Sequence, residues 1–121
     1  QGETIDDIVK NQMKVSQEDE LTIEFTVTPQ MTNQFGAISY GAFTTLLAEV
    51  GNYALKNKKR GDSVAENMTI YFIKPVQMDS VLTVRPNILD MSRKFVKMEF
   101  DVFNGQVLVG KAMMMFQLLE R

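Results

Sequence analysis

Gly41-Ala-Phe-Thr-Thr-Leu-Leu-Ala-Glu-Val-Gly-Asn-Tyr-Ala-Leu-Lys56 is the stretch on which the fold turns. Phe43, Leu46, Leu47, Val50, Tyr53 and Ala54 recur at the three- and four-residue spacing that lines one side of a helix. The segment predicts a helix about 24 Å long at 1.5 Å per residue. Ala42, Ala48 and Gly51 are small and permit close packing. Lys56, Lys58, Lys59 and Arg60 follow, where cations complement the helix dipole, and Gly61 reads as the stop.

Upstream, Thr4 to Met13 reads as a short helix, with Ile5, Ile8 and Val9 on one face and Asp6 and Asp7 in the first turn. Leu21 to Val27 alternates, predicting a strand with Leu21, Ile23, Phe25 and Val27 inward. Pro29 ends it, and Met31 to Ser39 reads as a loop. Downstream the period changes to two. Val64 to Ile73, Val81 to Leu89, Phe95 to Phe103 and Val107 to Leu119 read as strands. Pro86 implies an edge or a bulge in the second of these. Asn104-Gly105 is a hairpin signal. The last strand is apolar on both faces, as though a partner subunit covers one of them. The expected architecture is α+β, one long central helix wrapped by a curved antiparallel sheet of about five strands.

A chain of 121 residues with 45% hydrophobic and 23% charged residues fits one globular domain spanning 1–121. A net charge of −2 gives no drive toward nucleic acid or an anionic membrane. No apolar run approaches the roughly 20 residues of a membrane span. The start, Gln1-Gly2-Glu3-Thr4, is neither a signal peptide nor a natural translation start. It points to a cytoplasmic protein or a domain taken from a longer one. There is no Cys and no His. That excludes thiol catalysis, a Ser-His-Asp triad and nearly all zinc sites, so no metal centre is expected. Chemistry here must use carboxylates, hydroxyls, amides, Lys, Arg or backbone donors. Nine Met and eight Phe suggest an adaptable core or interface.

From Phe25 to Leu55 the one charged residue is Glu49, at the border of the apolar stripe between Thr45 and Tyr53. A carboxylate in such surroundings needs a partner or a raised pKa. It reads either as a general base or nucleophile, or as a helix-surface Glu paired with Lys56 or Asn52. The loop before the helix brings Asn33, Gln34, Gly36, Ser39, Tyr40 and Gly41 to the helix start, where free N–H groups form an oxyanion or anion site. The plainer reading is a capping turn with Ser39 as N-cap.

The run Gln34-Phe-Gly-Ala-Ile-Ser-Tyr-Gly-Ala-Phe-Thr-Thr-Leu-Leu-Ala-Glu49 resembles the central helix segment of hotdog-fold acyl-CoA thioesterases, among them the phenylacetate-pathway and 4-hydroxybenzoyl-CoA types. Their pattern is an amide residue, a short loop, His-Gly-Gly, then an acidic residue nine positions after the His. Tyr40-Gly41-Ala42 stands in the His-Gly-Gly place, and Glu49 lies nine after Tyr40. Asn67-Met-Thr-Ile-Tyr-Phe-Ile-Lys-Pro-Val76 resembles the family's strand that ends in an aromatic, a basic residue and Pro. Ser92-Arg93 resembles the Gly-Arg turn that often meets CoA. The likeness covers roughly residues 20–119. Tyr40 in place of His and Ala42 in place of the second Gly are departures at the site. The abrupt start also resembles bacterial proteins in which a hotdog domain follows CBS and DRTGG regulatory domains.

The resemblance implies a hotdog fold and hydrolysis of an acyl-CoA to a carboxylic acid and CoA, with CoA as part of the substrate and no separate cofactor. It implies a homodimer or a dimer of dimers. The thioester carbonyl would meet backbone N–H groups of Gly41 or Ala42, with Gln34 or Asn33 positioning it and Tyr40 alongside. Glu49 of the other subunit would activate water or attack directly. Arg93, Lys94 and Lys74 would meet CoA phosphates. The competing reading is a non-catalytic acyl-CoA or nucleotide-linked sensor domain of a regulatory protein. A dehydratase is disfavoured because that chemistry in the family leans on a His.

Overall fold

Ser39 sits in extended backbone and its Oγ accepts from the Ala42 N–H at 3.1 Å, which opens the long helix α2, Tyr40–Asn57. The computed structural model describes residues 4–17 and 20–119, so the opening Gln1-Gly2-Glu3 lies outside the described residues. Ala42, Phe43, Leu46, Leu47, Val50, Gly51, Ala54 and Leu55 form the buried face of α2. Tyr53, placed in the stripe by its spacing, is only half-buried. The helix stops earlier than Gly61. Lys59 takes the left-handed turn at φ 61°, and the Arg60 N–H returns to the Leu55 carbonyl. Gly61 is left-handed too, at φ 83°, but lies beyond the end.

A six-stranded antiparallel sheet wraps this helix: β1 Met13–Ser16, β2 Thr22–Thr26, β3 Ser63–Phe72, β4 Val81–Met91, β5 Phe95–Asn104 and β6 Val107–Leu118. The order across the sheet is β1-β2-β4-β5-β6-β3. Five of the six match the strands read from alternation, and β1 is additional. The short N-terminal helix α1, Ile5–Asn11, therefore ends before Met13, which pairs with Phe25. Thr4 and Asp7 close a capping box at its start.

Ile23, Phe25, Leu82, Val84, Val96, Met98, Phe100, Val102, Met114 and Phe116 point from the sheet onto α2, each 1% exposed or less. Burying a side chain of this size stabilises by roughly 1.5–3 kcal/mol, so this layer dominates the fold's energy. Two glycines allow the helix to approach. A Cβ on Gly51 would lie 2.2 Å from the Phe116 ring, and one on Gly110 would lie 2.7 Å from the Phe43 ring. Pro86 fits because β4 runs past β2, whose pairing ends at Ile23 and Val84, and a bulge follows between Ile88 and Asp90. The hairpin loop is Gly105-Gln106, one residue later than Asn104-Gly105, since Asn104 still pairs with Val107. Gly105 supplies the positive φ, 65°, that a two-residue hairpin turn needs.

Along β6, Ala112, Met114, Phe116 and Leu118 are buried, while Val107 and Met113 stay 47% and 40% exposed in the isolated chain. The register shift at Val102/Phe103 turns Val109 inward with Gly110, so the outer face is less apolar than strict alternation implies. β3 is an edge strand. Among the described residues it pairs with β6 alone. No helix of the described residues is long and apolar enough to cross a membrane.

Candidate active site

Residues 29–39 fold against the start of α2. Asn33 holds them: its Oδ1 accepts from the Phe35 N–H at 2.9 Å and the Ala37 N–H at 3.2 Å, and its backbone N–H donates to Ala37. The Asn33 carbonyl oxygen is thus spent on shaping the loop, as Asn often does in turns. Gln34 is exposed on the same loop. Of the two amide candidates, Gln34 is the one whose side chain the loop does not use.

At the helix start the N–H groups differ. Ser39 Oγ takes that of Ala42, and the Ser39 carbonyl takes that of Phe43. Both the capping turn and a donor site were legible here, yet Ala42 cannot serve both. Among the described residues no hydrogen bond takes the Gly41 N–H, and a Cβ there would meet nothing within 4 Å. Gly41 is therefore an open donor at the positive end of the helix dipole.

Beside it lies a cavity of about 240 Å³ lined by Asn33, Tyr40, Phe43, Phe72, Lys74 and Val76, among others. Tyr40 is 72% exposed, and its ring centroid lies 4.5 Å from that of Phe72, which is 5.2 Å from Phe43. Three rings at these spacings make an apolar wall over the helix start. The sequence placed Tyr40 at the site, in the position of the family's His, but gave no sign of an aromatic partner. Its pairing with Phe72 joins two residues far apart in the chain, and no local pattern announces it.

Glu49 lies eight residues on from Gly41, about 12 Å along the axis. It lines a second cavity of about 320 Å³ with Lys10, Met13, Val15, Asn52, Tyr53 and Lys56. Its side chain is 19% exposed, and Oε1 stands 3.8 Å from Lys10 Nζ. Burial raises the Glu49 carboxyl above its ordinary range. Lys10 opposes that rise, Asp6 adds to it, and Lys56 opposes it. The partner is therefore Lys10 of α1. Lys56, expected from the sequence, instead stands 3.7 Å from Asp62, and Asn52 accepts from Ser63 Oγ.

The three candidate phosphate-binding cations do not meet within one copy. Arg93 and Lys94 are exposed in the turn between β4 and β5, and the Lys94 carbonyl accepts from the Leu118 N–H. Leu118 pairs with Ser63, the first residue of β3. Lys74 lies two residues past the end of β3, so the length of that strand, about 30 Å at 3.3 Å per residue, separates them. Arg60 Nη2 donates to the Ser92 carbonyl at 2.9 Å and ties the basic end of α2 to this turn.

Comparison with known proteins adds the wider setting. The family model described as the thioesterase superfamily matches residues 35–111, which holds Tyr40, Gly41, Glu49, Lys74, Arg93 and Lys94. The uncharacterized protein YtoI of Bacillus subtilis (strain 168) is 53% identical over 123 residues. That match covers 99% of this chain, which spans 28% of that relative's length. Thioesterase superfamily member 2 from Mus musculus superposes with a TM-score of 0.83 at 20% identity, over 93% of this chain and 86% of that one. A hypothetical thioesterase protein from Streptococcus pneumoniae TIGR4, crystallised with coenzyme A, gives 0.81 at 19% identity over 90% of each chain. At these identities the two structures establish a shared fold.

Proposed function

The chain belongs to the thioesterase superfamily, and from that premise we propose that it hydrolyses an acyl-CoA to a carboxylic acid and CoA. The observation that carries this reading is Glu49. It is a carboxylate withdrawn from solvent on the helix whose first turn offers an open N–H, and burial raises its pKa toward the range of a useful base. The CoA bound by the pneumococcal relative supports the choice of thioester.

The active unit in this reading is a homodimer joined through the β3 edges. Ten residues of edge, unpaired among the described residues, with Val64, Tyr71 and Phe72 at least 44% exposed, favour such pairing. Antiparallel pairing of two β3 strands sets the Lys74 end of one copy beside the Arg93–Lys94 end of the other. It also brings the Gly41 N–H of one helix toward Glu49 of its neighbour. Glu49 then takes a proton from water, and the hydroxide attacks the carbonyl carbon. The oxygen of the tetrahedral intermediate accepts from Gly41 N–H. The C–S bond breaks, and the thiolate recovers the proton from Glu49. Gln34 or Asn33 orients the carbonyl, Tyr40 and Phe72 line the acyl path, and Arg93, Lys94 and Lys74 meet the phosphates. We place the domain in the cytoplasm.

Hydrolysis across a panel of acyl-CoAs, beside calorimetric CoA binding, tests the reading. Thioester cleavage and a CoA-dependent rise in Tm are expected, with the rise reduced in Arg93→Ala and blunted by salt. Binding without cleavage would leave a sensor domain instead.

A further inference from the structure

Of the ion pairs among the described residues, Lys10–Glu49 is the unequal one. Its carboxylate is 19% exposed and its ammonium 58%, whereas Lys56–Asp62 is exposed at both ends. A pair of two exposed side chains is worth little. A cation laid over a withdrawn carboxylate is a different object, because the carboxylate has lost much of its water and the cation is the replacement. The rest of α1 is fixed in a way that delivers it. Val9, the residue before Lys10, is 0% exposed. The Thr4–Asp7 capping box closes one end of α1, and β1 is clamped to β2 from Met13 onward at the other.

From this geometry we infer that Lys10 is a positioning residue for the reaction: it holds Glu49 ionised and aimed into the cavity shared by α1, β1 and α2. The inference rests on the general-base reading of Glu49. The groups facing that carboxylate are few. Lys10 and Asp6 come from α1, Lys56 and Tyr53 from α2 itself, and β1 contributes the apolar Met13 and Val15. Lys56 is shared with Asp62, and Asp6 works against ionisation. Lys10 is then the cation that offsets burial. Without it Glu49 holds its proton to higher pH, and the base form is scarcer at any pH on the acid side of the rate profile. The N-terminal helix thereby becomes part of the catalytic apparatus rather than a cover on the domain.

The experiment compares wild type, Lys10→Met and Lys10→Arg. It follows kcat/KM against pH and, in the same proteins, titrates the Glu49 side-chain carboxyl by carbon NMR. Glu49→Gln serves as the reference for lost base. In K10M the acid limb and the Glu49 titration should move up together. The loss should be about two- to fivefold below the limb, the scale of a partly exposed pair, and should shrink as pH rises. K10R should return both toward wild type. A structural role alone would lower the rate at every pH and leave the titration in place. A Glu49 titration identical in wild type and K10M overturns the inference while the general-base reading stands. So does a titration that moves with no shift in the acid limb. Full hydrolysis in Glu49→Gln overturns the base reading itself, and the inference with it.

Discussion

The first turn of α2 and its middle, eight residues further on, are built from opposite materials. The first turn offers an open backbone donor, three aromatic rings and a cavity with no carboxylate in its lining. The middle offers a half-buried carboxylate under two lysines, in a stretch where helical hydrogen bonding already uses the backbone N–H groups. The difference is a property of helices. Free donors exist only at the N-terminus, and a side-chain base deep along the same helix cannot reach them. A site that needs both must draw on two helices.

That separation can be broken most visibly by dividing it between subunits. Glu49→Gln removes the proposed base and should cut turnover by roughly a hundredfold or more. Gly41→Pro removes the donor at a first-turn position where proline is tolerated, and should cost about as much. Mixed in equal amounts after unfolding and refolding together, the two inactive proteins should regain roughly a quarter of wild-type activity. Half of randomly assorted dimers are then mixed, and each carries one intact site. No recovery, or a monomer by light scattering, would end the two-helix site. Thermal melts of each variant alone check that both fold.

A smaller effect separates folding from chemistry at the first turn. Ser39→Ala deletes the cap that holds the Ala42 N–H, which should cost about 1 kcal/mol of stability. For a chain of this size that is a fall of about 4 °C in Tm. An unchanged melt would mean that the Ser39–Ala42 bond contributes nothing, and Ala42 would return as a second donor beside Gly41.

How far the sequence reached follows the same divide between local and distant causes. α2 was legible because Phe43, Leu46, Leu47 and Val50 keep a helical period, and β2, β5 and β6 because their inward residues alternate. Met13-Lys-Val-Ser16 was not. Met13 follows Val9 at helical spacing, and only pairing with β2 makes those residues a strand. Glu49 stood out as the lone charge in an apolar stretch, but its partner Lys10 lies on another element, and nothing in the intervening pattern points to it. Gly41 and Ala42 looked alike until Ser39 was seen to spend one of them. Arg93, Lys94 and Lys74 read as one group, yet the length of β3 holds them apart within a copy.

The smallest expected effect concerns how the buried carboxylate loads the fold. Burial raises the folded-state pKa of Glu49 above its ordinary value near 4.5, against the pull of Lys10. Between the unfolded value and the raised folded one, the native state binds more protons than the unfolded state. Stability contributed by this group is therefore present below the unfolded pKa and is lost as pH rises through the folded one. Glu49→Gln cannot titrate and escapes that loss. Its Tm relative to wild type should rise as pH goes from about 4 to 7, by no more than a few degrees. The cavity at the first turn of α2 has no carboxylate in its lining. A Tyr40→Phe variant should accordingly track wild type across the same range. If the two variants behave alike, the middle of α2 holds no charge held against its environment, and Glu49 loses the property that sets it apart from an ordinary surface carboxylate.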